Sequence, residues 1–104
     1  MIETIDQDGI PEVIHKGPLT AVQISDLNKT LVEKFKNSGG LKLKFCDTDE
    51  CDALGIQLLC VFSQTAAAQK KRFLLKGDLD SVFDMAVRTG LTPEDYFLLD
   101  KKES

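Results

Sequence analysis

Two kinds of apolar pattern alternate along the chain. Short apolar or alternating stretches predict strands at Glu12–Lys16, Leu41–Phe45 and Arg72–Lys76. Between and after them, apolar residues recur at helical spacing in Thr20–Phe35, Ala53–Gln69 and Leu79–Val87. A fourth, short helix is expected from Thr92, with proline at its first turn. Alternating strands and helices predict an α/β domain, in which helices pack on a sheet.

Local signals set the expected ends of these helices. Thr20 and Gln23 have the spacing of a capping box, in which side chains accept hydrogen bonds from backbone N–H groups at a helix start. The segment Asn37–Gly40 ends that helix. Gly90 followed by Leu91 predicts a Schellman ending for the helix that begins near Leu79.

The chain is expected to form one domain, because 104 residues suffice for a single core but not for two. Residues 1–11 are predicted to be a loosely held lead-in, residues 12–100 the domain and residues 101–104 a solvated tail. We expect Tyr96, Phe97 and Leu99 to fold back on the core.

Charge and cysteine content narrow the functional classes. A net charge of −4 without a concentrated basic segment argues against nucleic acid and anionic membrane surfaces as partners. The longest apolar run, Ala53–Phe62, is too short to insert in a bilayer, and the N-terminus lacks the features of a secretory signal. Cys46, Cys51 and Cys60 match no zinc pattern. These features predict a cytoplasmic protein with reduced thiols.

The segment Asp49–Cys60 (DECDALGIQLLC) joins a group of acids to an apolar helix. A hard-cation site, a phospho-acceptor and a Cys51–His15 catalytic pair are alternative interpretations of this junction. Acidic residues before a helix are stabilising there in any case, because unpaired N–H groups make that end partly positive. Nearby carboxylates would also raise the pKa of a thiol. We therefore predict no metal, no cofactor and no catalytic residue, and expect a non-enzymatic domain.

The order of the motifs resembles the STAS domain, the family of bacterial anti-sigma factor antagonists. The resemblance covers about residues 12 to 99 and depends on Asp52–Leu59, Arg72–Gly77 and Val82–Leu91. It implies a mixed β-sheet of about four strands packed with about four helices, and a function in binding rather than in catalysis. In phosphoregulated members, a Ser or Thr follows the Asp of the Asp-x-x-Gly motif, and its phosphorylation breaks the partner complex. Here Ala53 occupies that position and has no hydroxyl, and the nearest hydroxyls, on Thr48 and Ser63, do not match the motif.

The resemblance implies a protein-interaction module of bacterial signalling that acts without phosphorylation at this motif. Its partner is expected to be a kinase-like anti-sigma factor or a chemotaxis-type signalling protein. Alternatively, the chain is an accessory subunit of a membrane transport ATPase of the lipid type. The predicted contact surface comprises Asp47, Thr48, Asp49, Glu50, Asp52, Ala53, Leu54, Gly55 and Gln57.

Overall fold

The computed structural model describes residues 2–7 and 10–99, and for a few of them only the backbone. The strands are β1 (Ile2–Gln7), β2 (Ile10–Lys16), β3 (Gly40–Cys46), β4 (Arg72–Gly77) and β5 (Leu98–Leu99). The helices are α1 (Ala21–Lys36), α2 (Ala53–Ala68), α3 (Asp80–Arg88) and the four-residue α4 (Pro93–Tyr96).

The five strands of the described ranges form one mixed sheet in the order β1-β2-β3-β4-β5. β1 pairs with β2 in antiparallel fashion, and the remaining three pairings are parallel. The helices α1, α2 and α3 connect successive parallel strands, as parallel pairing requires. The α/β class predicted from the alternating pattern is therefore confirmed, with five strands where about four were expected.

The core lies between one face of the sheet and these three helices. Its largest fully buried side chains include Phe45, Phe73 and Leu75 from the strands and Leu31 and Leu59 from the helices. In α1, the buried residues lie three or four positions apart, which is the spacing of one helical face. The periodicity in the sequence therefore identified the side of α1 that packs on the sheet.

On the opposite face of the sheet, several charged side chains are buried or half-buried. The side chains of Glu12 on β2 and Lys76 on β4 are almost completely buried, and their Oε1 and Nζ atoms lie 2.5 Å apart. They reach each other across β3, whose Lys42 and Lys44 are half-buried on the same face. The alternation in LKLKF predicted which residues share this face, but not that an ion pair would be buried there.

The helix ends follow the local signals closely. The Gln23 side chain accepts a hydrogen bond from the Thr20 backbone N–H at 3.2 Å. At the end of α3, Leu91 N–H donates to the Ala86 carbonyl and Gly90 has a φ of 90°, which is the Schellman arrangement. The α2 helix begins and ends within one residue of its predicted bounds.

The structure differs from the sequence-based predictions in two respects near the ends of the chain. Ile2–Gln7 pairs along β2 as part of the sheet, although the sequence predicted a loosely held lead-in over residues 1–11. Phe97 is buried as expected, whereas Tyr96 is about half exposed and so does not fold back into the core. The side chain of Leu99 and the predicted tail at 101–104 lie outside the described residues.

Candidate functional site

The predicted contact surface lies where β3 ends and α2 begins. The segment Asp47–Asp52, which we call the acidic loop, follows the carboxyl end of β3. Carboxyl ends of parallel strands are the usual place for ligand and partner sites in open α/β sheets, because the loops from neighbouring strands meet there. Three neighbouring segments hold the acidic loop in place: the end of β4, the segment after β2 and the beginning of α1.

Thr48 holds the first half of the loop against the end of β4. Its backbone N–H donates to Asp78 Oδ2 at 3.1 Å, and the Asp78 N–H in turn donates to the Phe45 carbonyl at 2.8 Å. The Thr48 side chain is completely buried, and its hydroxyl donates to the Cys46 carbonyl at 3.3 Å. Thr48 thus holds the loop in place from inside the protein, and a partner could not contact its side chain directly.

The second half of the loop pairs with the segment that follows β2. Leu19 N–H donates to the Glu50 carbonyl at 2.8 Å, and Asp52 N–H donates to the Leu19 carbonyl at 3.1 Å. These two bonds form an isolated parallel bridge between Leu19 and Cys51. The bridge fixes the backbone of the acidic loop beside the beginning of α1.

Asp52 joins the first turns of two helices. Its Oδ1 atom accepts from the Gly55 N–H of α2 at 3.1 Å, and its Oδ2 atom accepts from the Ala21 N–H of α1 at 3.0 Å. Each helix start presents unpaired N–H groups and a partial positive charge, which a carboxylate stabilises. The sequence predicted the cap on α2, but only the fold shows that the same carboxylate also binds α1.

Gly55 permits the close contact between these segments. A Cβ atom at this position would lie 2.9 Å from Leu19 Cγ and 3.2 Å from the Leu19 carbonyl oxygen. Real Cβ atoms do not come so close to other heavy atoms, so any larger residue would push α2 away from the Leu19 segment. The sequence analysis placed Gly55 in the partner-contact surface, whereas the backbone that it admits belongs to Leu19 of the same chain.

The remaining predicted residues form one exposed edge. Asp47, Asp49 and Glu50 are exposed on the acidic loop, and Ala53, Leu54 and Gln57 are exposed in the first turns of α2. Leu54 is 50% exposed, which is unusual for leucine beside three carboxylates. The fold therefore places these six residues where another protein could contact them, with Asp52, Thr48 and Gly55 beneath as structural supports.

A cleft extends this edge toward α3. Ser81, Asp84, Met85 and Arg88 of α3 line it together with residues 49–51 of the acidic loop. The sequence analysis assigned no role to Asp84 or Arg88, which the structure shows to be exposed. Nothing in the sequence indicated that they face the acidic loop, because that arrangement depends on how α3 crosses back over the sheet.

The thiol of Cys51 has the properties of a buried structural group. Burial raises its pKa to about 11, and the nearby Asp52 carboxylate acts in the same direction. His15 lies on β2, where its Nε2 atom is 2.8 Å from the Pro18 carbonyl, and burial lowers the pKa of the imidazole. A neutral thiol is a poor nucleophile, so the contacts of Cys51 do not favour a catalytic cysteine.

Among the described residues, the structure shows neither a group of metal-ligating side chains nor an accessible hydroxyl on Thr48 or Ser63. No three of the described His, Cys, Asp or Glu side chains are grouped so that they could hold a metal ion. The Ser63 hydroxyl is buried in α2 without a hydrogen-bond partner. A kinase could therefore reach neither Ser63 nor Thr48 without local opening of the structure.

Comparisons with known proteins give no assignment. Neither a protein-family model nor a curated protein matches this chain. Within the described ranges, no helix combines the length and apolar character that crossing a membrane requires.

Proposed function

We propose that this protein is a STAS-like protein-interaction module of bacterial signalling that binds its partner without phosphorylation at position 53. Its contact surface consists of the exposed acids of the acidic loop and the first turns of α2. The observation that carries the proposal is the exposed edge formed by Asp49, Glu50, Ala53, Leu54 and Gln57 on a rigid frame.

The hydrogen bonds of Asp52 and the Leu19–Cys51 bridge support binding, because they fix the backbone of the exposed edge before a partner binds. Asp52 and the Leu19–Cys51 bridge hold the loop to two helices, so little conformational entropy remains to be lost on association. The exposed Leu54 offers an aliphatic anchor, and the carboxylates of Asp49 and Glu50 lie beside it. A fitting partner therefore has an apolar pocket flanked by Lys or Arg residues.

The alanine at position 53 supports the proposal that binding does not depend on phosphorylation at this position. Ala53 is the first residue of α2 and is exposed, so this position is accessible to a partner. In the resembled family, a phosphate at the corresponding position breaks the complex. A methyl group cannot be phosphorylated, so binding at this edge would be constitutive or controlled on the partner's side.

A photo-crosslinking amino acid at Gln57 tests the proposal in the source cells. Its matched control is the same amino acid at Val87, which is also exposed on a helix. We expect a defined signalling protein, such as a kinase-like anti-sigma factor, to be captured from position 57 and not from 87. Capture of a transport ATPase would instead favour an accessory subunit of a transporter.

Affinity measurements with the captured protein then test which residues make the contact. Leu54→Glu and the double variant Asp49→Lys/Glu50→Lys should each weaken binding by about tenfold or more, whereas Val87→Glu should not. Asp52 is unsuitable as a contact variant because it holds α1 and α2 together. If Leu54→Glu remains folded and binds as tightly as the natural chain, the proposed surface is wrong.

A further inference from the structure

The helix α2 carries no charged side chain along its 16 residues, including the side that faces away from the core. Its buried residues are Gly55, Ile56, Leu59, Phe62 and Ala66. On the opposite side, exposed residues recur every three or four positions, and we call them the outward stripe. The outward stripe consists of Leu54, Gln57, Val61, Gln64 and Ala68.

The outward stripe has the composition of an interface rather than of a solvated surface. Surface helices usually carry charged residues on the side away from the core. Here Leu54 is 50% and Val61 57% exposed, and Val32 of α1, 45% exposed, lines the same groove as Val61. Exposed apolar residues on a helix face without charges, here interspersed with Gln57 and Gln64, are typical of an interaction site.

The two ends of the outward stripe carry opposite charges. Asp47, Asp49 and Glu50 are exposed where α2 begins, and we call them the acidic end. Beyond the other end of α2, the chain continues as Lys70-Lys71-Arg72. The end of α1 lies beside this segment, as shown by the hydrogen bond that Lys71 Nζ donates to the Phe35 carbonyl at 2.8 Å. The exposed Lys36, Lys70 and Arg72 form the basic end.

We propose that a second copy of this chain covers the outward stripe, with the two α2 helices antiparallel about a two-fold axis. A two-fold rotation places the acidic end of each copy over the basic end of the other. A parallel arrangement would place like charges together and is disfavoured. This complementarity also explains how chains with a net charge of −4 could associate through one face.

The symmetry identifies the residue at the centre of the contact. In a two-fold interface, each residue near the axis meets its own counterpart. Val61 lies at the middle of α2, which spans Ala53–Ala68, so the two Val61 side chains would face each other. Leu54 lies seven residues earlier, about 10 Å along the helix, and would contact the opposite half of the partner's stripe.

Sedimentation velocity of the full chain over a roughly hundredfold concentration range tests the dimer, because its population depends on concentration. We expect reversible dimers, and Val61→Glu should weaken the association by about tenfold or more, since two glutamates would meet at the axis. The matched control is Val87→Glu. Val87 is 63% exposed on α3 and lies on the side of that helix opposite Met85, and it is Met85 that faces the acidic loop. Val87→Glu should leave the dimer unchanged.

Charge-reversal variants test the antiparallel orientation separately. Lys36→Glu/Lys70→Glu gives two acidic ends, and Asp49→Lys/Glu50→Lys gives two basic ends. Each variant alone should dissociate, because ends that attract each other in the antiparallel dimer then repel. In a parallel dimer like charges already meet, so the same reversal would leave the affinity nearly unchanged. An equal mixture of the two should form a heterodimer, because every end then meets its opposite. Added salt should weaken that heterodimer, as expected for exposed charge pairs.

A natural chain that stays monomeric throughout the concentration range overturns the proposal, and so does a dimer that Val61→Glu does not weaken. Dimerisation of either variant alone as tight as that of the natural chain overturns the antiparallel orientation, and failure of the mixture to associate overturns the pairing of opposite charges at the ends. The dimer would cover Leu54 and Gln57 of the proposed partner surface, so the two complexes exclude each other. Crosslinking at position 57 distinguishes them, because a captured second copy and a captured signalling protein differ in mass. A protein of another kind captured on Val61, with no dimer, would refute self-association and leave the interaction module intact.

Discussion

Replacement of Asp52 by alanine should destabilise the domain more than any other single change in the acidic loop. The carboxylate accepts one hydrogen bond from the Gly55 N–H of α2 and one from the Ala21 N–H of α1. Loss of a helix cap costs about 1 kcal/mol. The second N–H group, on Ala21, loses its partner as well; it is exposed, so water can replace the carboxylate and the loss costs about 0.5–1.5 kcal/mol.

The two losses together predict a decrease of about 1.5–2.5 kcal/mol in the free energy of unfolding. That is a large fraction of the roughly 5–15 kcal/mol by which small domains are stable. Asp52→Asn keeps one acceptor oxygen, so it should cost about half as much as Asp52→Ala. Asp49→Ala is the matched control, because Asp49 is exposed in the same loop, and it should change stability by less than about 0.5 kcal/mol.

Urea denaturation followed by circular dichroism measures these differences as shifts of the midpoint at constant slope. We expect the natural chain to be the most stable, Asp52→Asn to be intermediate and Asp52→Ala to be the least stable. If Asp52→Ala lies within about 0.5 kcal/mol of the natural chain, the double cap does not stabilise the fold. Equal losses in Asp52→Ala and Asp49→Ala would indicate a general charge effect instead.

Three further changes have defined outcomes. Gly55→Ala should lower the free energy of unfolding by about 1–3 kcal/mol through the clash with Leu19, measured in urea; Gly39→Ala, with open space around it, should not. Lys76→Met should lower the free energy of unfolding by about 1–3 kcal/mol, because the buried Glu12 carboxylate loses this partner, and the further change Glu12→Leu should recover part of the loss. Burial lowers the pKa of His15 in the folded state, so the unfolded chain binds a proton more readily. Stability should therefore be constant above about pH 6.5 and fall as the pH drops below it; a thermal-unfolding profile of His15→Gln with the same slope would contradict this.

The sequence by itself determined the local elements of this protein. The capping pair at Thr20, the alternation from Leu41 to Phe45 and the glycine at position 90 act within a few residues. Such signals depend on backbone hydrogen bonding and side-chain spacing alone. For that reason the boundaries of α1, β3 and α2 could be predicted closely, and the start of α2 identified the candidate site.

Tertiary structure decided which of the predicted site residues are exposed. Thr48 and Gly55 are buried because the ends of β2 and β4 pack against the acidic loop, and the sequence contains no local sign of that packing. Likewise, Ser81 and Arg88 come to face the acidic loop only through the crossing of α3 over the sheet.

The same distinction applies to β1 and to the buried ion pair. Ile2–Gln7 becomes a strand by pairing with β2 in antiparallel fashion. Glu12 and Lys76 are 64 positions apart in the chain and meet across β3. Contacts between distant segments follow from strand order, which local patterns do not encode. The charge-free α2 and the opposite charges before and after it were visible in the sequence, but only the packing of α1 beside α2 brings the end of α1 next to Lys71.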